Sequence, residues 1–139
     1  MYAIFLPQLK LYLAKACLVV RRFEEGLEAV DEGLQEVIQF EEPAFCAELY
    51  RIRGELLAAS GGSRPEEVEI CFSDALDIAR KQQAKTLELR AATSLGRLWS
   101  ERGERQRAHD LLAPIYGSFR EGVSARDLIE AKALLDALG

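Results

Sequence analysis

The apolar residues of this 139-residue chain recur every three or four positions from one end to the other. That period places side chains on one face of an α-helix, and no stretch has the sustained alternation of a β-strand. The spacing therefore predicts an all-α fold of seven helices. The predicted buried stripes are Leu6, Leu9, Leu13, Ala16, Cys17 and Val20; Phe23, Leu27, Val30, Leu34 and Ile38; Phe45, Leu49, Ile52 and Leu56; Val68, Phe72, Ala75 and Ala79; Leu87, Ala91, Leu95 and Leu98; Leu111, Leu112, Ile115 and Phe119; and Leu128, Ala131, Leu135 and Leu138.

Turn and capping residues separate these stripes. A serine with proline two residues later and glutamate three residues later predicts a helix start at Ser63–Glu66, and Ser124 with Asp127 predicts another. Pro114 lies inside the sixth stripe and is expected to kink or shorten that helix. The remaining predicted breaks are Arg21-Arg22, Glu41-Glu42-Pro43, Gly61-Gly62 and the C-cap glycine Gly103.

The helices are expected to pair into hairpins that repeat. Small residues recur where the two helices of a hairpin would cross closely, as in tetratricopeptide repeats. They are Ala14, Gly54 and Gly96 on the first helices, and Gly26, Val68 and Ala108 on the second. The chain length suits one domain, 1–139. We predict a right-handed superhelix of three tetratricopeptide-like hairpins, at about 5–41, 44–82 and 84–120, followed by a C-terminal capping helix at about 125–138.

Several strings resemble a known family. They are FEEGLEAVDEGL (23–34), ELYRIRGELL (48–57), EICFSDALDIAR (69–80), LELRAATSLGRLW (87–99), LLAPIYGSF (111–119) and EAKALLDAL (130–138). They are similar to the C-terminal tetratricopeptide-repeat region of bacterial proteins that combine a class III adenylate or guanylate cyclase, a P-loop ATPase and helical repeats. The resemblance implies a regulatory solenoid in a signalling protein. It carries over no catalytic residue, because the cyclase and ATPase motifs are absent from the sequence.

The charge and the cysteine content argue against several classes of function. The net charge of −5 and pI of about 5.0 argue against a nucleic-acid partner. Cys17, Cys46 and Cys71 lack zinc-site spacing, so we expect buried free thiols in a cytoplasmic protein without a cofactor or metal. Lys10 and Lys15 interrupt the apolar amino terminus, which argues against a membrane span.

The sequence also argues against an enzyme. It contains neither the glycine-rich phosphate loop G-x-x-x-x-G-K-[ST] nor the nucleophile motif G-x-S-x-G. The histidine His109 has no evident partner and is expected to be exposed. We therefore expect a non-catalytic scaffold for protein–protein interaction.

The first helices of the hairpins are predicted to line a concave face. Arg51 and Arg97, with Arg90 nearby, could bind carboxylates of an acidic protein or peptide segment. Alternatively, Arg51–Glu55 and Arg97–Glu101 are ordinary surface pairs within one helix. The predicted partner-binding residues are Gln8, Lys15, Glu48, Arg51, Glu55, Arg90, Thr93 and Arg97.

Two further interpretations stay open. Tyr2, Ile4, Phe5 and Leu11 exceed what one buried stripe needs, so they are a candidate patch for homodimerisation through the N-terminal helix. The alternative function is a small-ligand-sensing regulatory domain that controls attached catalytic domains. It would need a pocket lined by the aromatic side chains of Tyr50, Trp99 and Tyr116.

Overall fold

The computed structural model describes residues 6–41, 43–61, 65–119 and 125–139. Seven α-helices and one 3-10 turn make up most of these ranges, and no strand occurs within them. The predicted all-α class with seven helices is therefore confirmed. The helices are α1 (Leu6–Val19), α2 (Phe23–Phe40), α3 (Cys46–Ser60), α4 (Pro65–Lys81), α5 (Lys85–Glu101), α6 (Arg105–Gly117) and α7 (Ala125–Leu138), and the 3-10 turn is Pro43–Phe45.

Left-handed backbone at the predicted breaks ends several helices. Gly61 and Gly103 have φ of 76° and 83°, values that glycine adopts without steric cost. Glu41 also has a positive φ of 51°, and its backbone N–H donates to the carbonyl of Val37, which caps α2. The predicted breaks at these positions are confirmed.

The structure describes only part of the two predicted helix starts, at Ser63–Glu66 and Ser124–Asp127, and it describes the whole of α6 with its internal proline. Pro65 occupies the first position of α4, where its missing N–H costs nothing. Ser63 and Ser124, the caps expected from sequence, lie outside the described residues. Helix α6 runs through Pro114 and ends three residues later, at Gly117.

The chain divides into two compact units, which we call unit 1 (residues 1–75) and unit 2 (residues 76–139). The division falls within α4, so the predicted second hairpin, 44–82, contributes residues to both units. The single domain over 1–139 and the right-handed superhelix stay predictions. The two units are described separately below.

The core of unit 1 is built by α1, α2 and α3. Its buried members include Leu11 and Ala14 of α1, Ala29, Val30 and Val37 of α2, and Leu49, Ile52 and Leu56 of α3. Gly54 of α3 faces the first turns of α4. A Cβ on Gly54 would lie 2.6 Å from Cε1 of Phe72, so only glycine fits this crossing without movement.

Helix α1 buries a different face from the predicted one, and Cys17 is the described side chain of the predicted stripe that is buried as expected. The other buried residues are Pro7, Leu11 and Ala14, whereas Leu9, Leu13, Ala16 and Val20 of the predicted stripe are exposed. Both faces of α1 are apolar, so periodicity alone does not distinguish them. The other predicted core residue that is exposed is Ile38 of α2.

Unit 2 has its own core, to which α5, α6 and α7 contribute. Leu89, Ala92 and Leu95 of α5 and Leu112 of α6 are buried, as is Ala131 of α7. Helix α7 packs against both α5 and α6, which is the packing expected of a capping helix. No helix of the described part of the chain is both long enough and apolar enough to cross a membrane.

Candidate partner-binding surface

The eight predicted partner-binding residues fall in both units. Three of them, Arg90, Thr93 and Arg97, lie on α5 in unit 2. The other five lie on α1 and α3 of unit 1: Gln8, Lys15, Glu48, Arg51 and Glu55. The two groups are therefore described separately.

In unit 1 four of the five predicted residues form an ion cluster around a buried carboxylate, while Gln8 donates to the hydroxyl of Tyr12 on its own helix. The side chain of Glu48 is only 5% exposed. Arg51 donates from Nε to Oε1 at 2.7 Å and from Nη2 to Oε2 at 3.1 Å, and Nζ of Lys15 lies 3.4 Å from Oε2. Nη1 of Arg51 also lies 3.9 Å from Oε1 of Glu55, so the predicted intrahelical pair is present.

This cluster already occupies the guanidinium fork of Arg51. A partner carboxylate would have to displace Glu48, which would then be buried with less compensation. Glu48 itself is too buried to contact a partner. Unit 1 therefore uses the cationic side chains of this face within its own packing.

On α5 the three predicted residues differ in accessibility. Nε of Arg90 donates to Oδ2 of Asp127 on α7 at 3.0 Å, and the Arg90 side chain remains 30% exposed. Thr93 is buried, and its hydroxyl donates to the carbonyl of Leu89 at 2.8 Å, so it is not displayed to a partner. Arg97 is exposed and lies two turns after Arg90, on the same helix face.

The charges of the two units differ in sign. Unit 1 contains 14 acidic and 7 basic residues, whereas unit 2 contains 9 acidic and 11 basic residues. Their formal net charges are −7 and +2, which the whole-chain value of −5 conceals. Net charge of this kind affects which charged molecules a surface attracts. This difference was missed from sequence because the boundary inside α4 was not predicted.

A surface depression of about 440 Å³ lies on unit 2, between the end of α4 and the start of α5. It is lined by Arg80, Gln83, Lys85 and Glu88. Nε of Arg80 lies 3.0 Å from Oε2 of Glu88, and Nζ of Lys85 lies 3.9 Å from Oε1. This polar lining includes none of the three aromatic residues required by the ligand-sensing alternative.

Those aromatic residues have other surroundings. Tyr50 belongs to unit 1, while Trp99 and Tyr116 belong to unit 2. Trp99 is buried, and the guanidinium carbon of Arg107 lies 3.8 Å from the centre of its ring. This cation–π contact, which the sequence analysis missed, joins α5 to α6 and gives Trp99 a packing role.

The three cysteines and the histidine differ in their exposure and surroundings. Cys17 and Cys71 are buried and Cys46 is half-buried, and all three are free. Burial raises the pKa of the Cys71 thiol, although Arg53, which donates to its Sγ at 3.1 Å, opposes this effect. Burial likewise raises the pKa of Cys46. His109 is exposed as predicted. Raised pKa values keep thiols protonated, whereas nucleophilic cysteines need lowered ones.

The predicted dimer patch needs one correction. Leu11 is buried in the core of unit 1, so it belongs to no exposed surface. Tyr2, Ile4 and Phe5 lie outside the described residues. Instead, α1 exposes the side that we call its outer face, which consists of Leu9, Tyr12, Leu13, Ala16 and Val19, together with Val20 in the following turn.

No protein-family model, no curated protein and no solved structure matches this chain. The resemblance to the tetratricopeptide region of cyclase–ATPase proteins therefore stays a prediction from the sequence. Within the described residues, no group of three or more histidine, cysteine, aspartate or glutamate side chains could hold a metal ion.

Proposed function

We propose that this chain is a non-catalytic protein-interaction module and that unit 2 binds an acidic segment of a protein partner. The observation that carries the proposal is the net positive charge of unit 2, combined with exposed Arg97 and half-buried Arg90 on one face of α5. Arginine suits this role because its planar fork pairs bidentately with carboxylates.

The two arginines of α5 differ from Arg51 in their exposure. Arg51 is 18% exposed and holds a buried carboxylate with two of its nitrogens. The side chain of Arg90 is 30% exposed, and Arg97 is exposed as well. Because both are closer to solvent than Arg51, an incoming carboxylate would pair with them at a smaller desolvation penalty than in unit 1.

The wider setting of the module is part of the same proposal. We infer a tetratricopeptide-like scaffold in the regulatory region of a bacterial signalling protein of the cyclase–ATPase type. The sequence strings support it, as does the burial of Gly54 and Gly96 at the predicted hairpin crossings. A cytoplasmic location is consistent with three free cysteines.

A defined acidic peptide tests the binding proposal. Fluorescence anisotropy would measure binding of a labelled, glutamate-rich peptide and of the same peptide with glutamine at every glutamate position. We expect binding of the acidic peptide only, with an affinity that falls as salt screens the charges.

Matched charge reversals locate the binding site. Arg97→Glu is expected to weaken binding at least about tenfold, which corresponds to roughly 1.4 kcal/mol. Lys132→Glu on α7 is the control, because it makes the same charge change in unit 2 at a side chain that is 61% exposed. We expect less than about a twofold effect from the control, since Lys132 pairs with Asp136 within α7 and is five residues from Asp127, the partner of Arg90. Equal losses from both variants would reduce the effect to net charge and contradict a site on α5.

A further inference from the structure

The outer face of α1 is an uncovered apolar surface. Leu9, Leu13 and Val19 are 58%, 50% and 81% exposed, and Tyr12 and Val20 are more than half exposed. These residues follow the three- and four-residue spacing of one helix face through three turns, with Ala16 between them. A contiguous apolar face of this kind normally contacts a partner, whereas isolated exposed apolar residues are common.

The polar groups beside this face already have partners within the chain. Lys10 pairs with Glu32, Lys15 with Glu48, and Arg22 with Glu25. The charges of these three cations are therefore offset within the chain and do not select a partner of opposite sign. The face instead fits a partner surface that is itself apolar.

The hydroxyl of Tyr12 is also satisfied within α1. It accepts a hydrogen bond from Nε2 of Gln8 at 3.0 Å. The ring of Tyr12 can therefore be covered by an apolar partner while its polar tip keeps a hydrogen bond, as is common at interfaces.

We propose that the outer face of α1 is the interface of a symmetric homodimer, in which the α1 helices of two copies pack antiparallel. The exposed side chains present on the order of 500 Å² per copy, and their pairing buries about 1,000 Å² in total, close to the lower limit for a specific interface. A second copy supplies the same apolar surface, as a twofold-symmetric interface requires. The expected dimer is weak, with a dissociation constant in roughly the micromolar range.

The order of residues along α1 suits the antiparallel arrangement. A twofold axis at the centre of the outer face places Leu13 of one copy opposite Ala16 of the other. It also places Leu9 of one copy opposite Val20 of the other. The small Ala16 thus receives a large side chain, which lets the two helices approach closely.

This proposal concerns unit 1 and goes beyond the binding function assigned to unit 2. The two proposals are tested independently, because one predicts self-association of the chain and the other predicts binding of an acidic peptide. Their salt dependence also differs. Salt lowers the affinity for an acidic peptide, whereas it leaves an apolar dimer unchanged or strengthens it by screening the net charge of −7 on each unit 1.

Sedimentation analysis of the whole chain, from about 1 to several hundred micromolar, tests the dimer against its expected affinity. The wild type should pass from monomer to dimer over this range, and Leu13→Glu should raise the dissociation constant at least about tenfold by placing a charge in the interface. Ile38→Glu on α2 is the control, because it introduces the same charge at an isolated side chain that is 79% exposed. It should dimerise as the wild type does.

Circular dichroism melting checks that Leu13→Glu still folds, as expected for a half-exposed position. A wild type that stays monomeric throughout overturns the proposal and leaves the outer face to another occupant, such as an apolar helix of a different protein. Equal weakening by Leu13→Glu and Ile38→Glu overturns it as well, because the effect would then not depend on the outer face.

Oxidative cross-linking tests the antiparallel order. An equal mixture of Leu9→Cys and Val20→Cys chains should form a mixed disulfide several times more often than either chain forms one with itself, because only that pair lies opposite. The wild type is the background control, because it reports any cross-linking through its own cysteines, of which Cys46 is half-buried and the other two are buried. A dominant Leu9→Cys self-disulfide would indicate parallel helices and contradict the proposed interface.

Discussion

Unit 1 and unit 2 each contain a glycine at the same place of the predicted hairpin register, but the two crossings are packed differently. In unit 1 the aromatic ring of Phe72 lies against Gly54, and a Cβ there would come within 2.6 Å of it. In unit 2 the nearest atom to a Cβ on Gly96 would be Cδ2 of Leu134, at 3.4 Å, and Cβ of Ala108 would be 3.9 Å away. A close crossing can thus be made by glycine against a large residue, or by glycine against a small one with space remaining.

The two units also differ in where their cationic side chains lie. In unit 1, Arg51 and Lys15 surround a buried carboxylate, and Arg53 pairs with Asp31 and Glu67. In unit 2, cationic side chains outnumber acidic ones, and Arg97 is exposed. The cations around Glu48 in unit 1 thus hold a buried carboxylate, whereas Arg97 in unit 2 lies at the surface of α5.

The largest expected difference between the units is the response of the two glycines to alanine. Gly54→Ala forces Phe72 and the Cβ of Cys71 to move, so we expect the free energy of unfolding to fall by about 1–3 kcal/mol. Gly96→Ala meets only ordinary contacts and should stabilise the chain by up to about 1 kcal/mol, because alanine favours helix over glycine. Urea denaturation measures both. Equal effects would show that the crossings do not differ as described.

A smaller difference in stability is expected when two paired carboxylates, Glu48 in unit 1 and Asp127 in unit 2, are replaced by their amides. Glu48 is held by Arg51 and Lys15, whereas Asp127 is 10% exposed and pairs with Arg90, whose side chain is 30% exposed. We expect Glu48→Gln to lower the free energy of unfolding by about 2 kcal/mol and Asp127→Asn by about 1 kcal/mol, since solvent weakens the second pair. Thermal or urea denaturation of the two isosteric variants checks the order. A larger loss for Asp127→Asn would contradict the assignment of the tighter ion cluster to unit 1.

The smallest expected effect is a loss of folding stability at alkaline pH. It is confined to unit 1, which contains all three cysteines. Burial raises the pKa of Cys46 and Cys71 in the folded chain, so both stay protonated while the unfolded chain ionises. The stabilisation that these two protonated thiols contribute is complete below the ordinary thiol pKa. It is lost as the pH rises through their raised pKa values in the folded chain. Denaturation at a series of pH values above about 8 measures it. The double variant Cys46→Ala, Cys71→Ala should lose this part of the pH dependence, and an unchanged profile would contradict it.

Much of the fold follows from local patterns in the sequence. The buried stripes of α3 and α4 were predicted, since each of these helices has one apolar face. In α5 only Ala91 and Leu95 of the predicted stripe are buried, and the buried Leu89, Ala92 and Trp99 were not part of it. The turns at Gly61 and Gly103 were also predicted, because a positive φ at a helix end favours glycine. Helix α1 was oriented wrongly because its two faces are both apolar, and only packing against α2 and α3 decides between them.

The candidate surface was less predictable, because its geometry depends on residues far apart in the sequence. No periodicity indicates that Lys15 meets Glu48, or that Asp127 of α7 meets Arg90 of α5. The unbroken stripe of Val68, Phe72, Ala75 and Ala79 likewise gives no sign of a boundary between units inside α4. Once that boundary is known, the opposite charges of the two units can be read directly from the sequence.

An NMR titration of the isotope-labelled chain with the acidic peptide tests most directly whether the two units have separate binding roles. The account predicts that backbone amide shifts change on α5, around Arg90 and Arg97, while the amides of α1 and α3 in unit 1 stay unchanged. Shift changes centred on Arg51, or no changes up to a large molar excess of peptide, would contradict it.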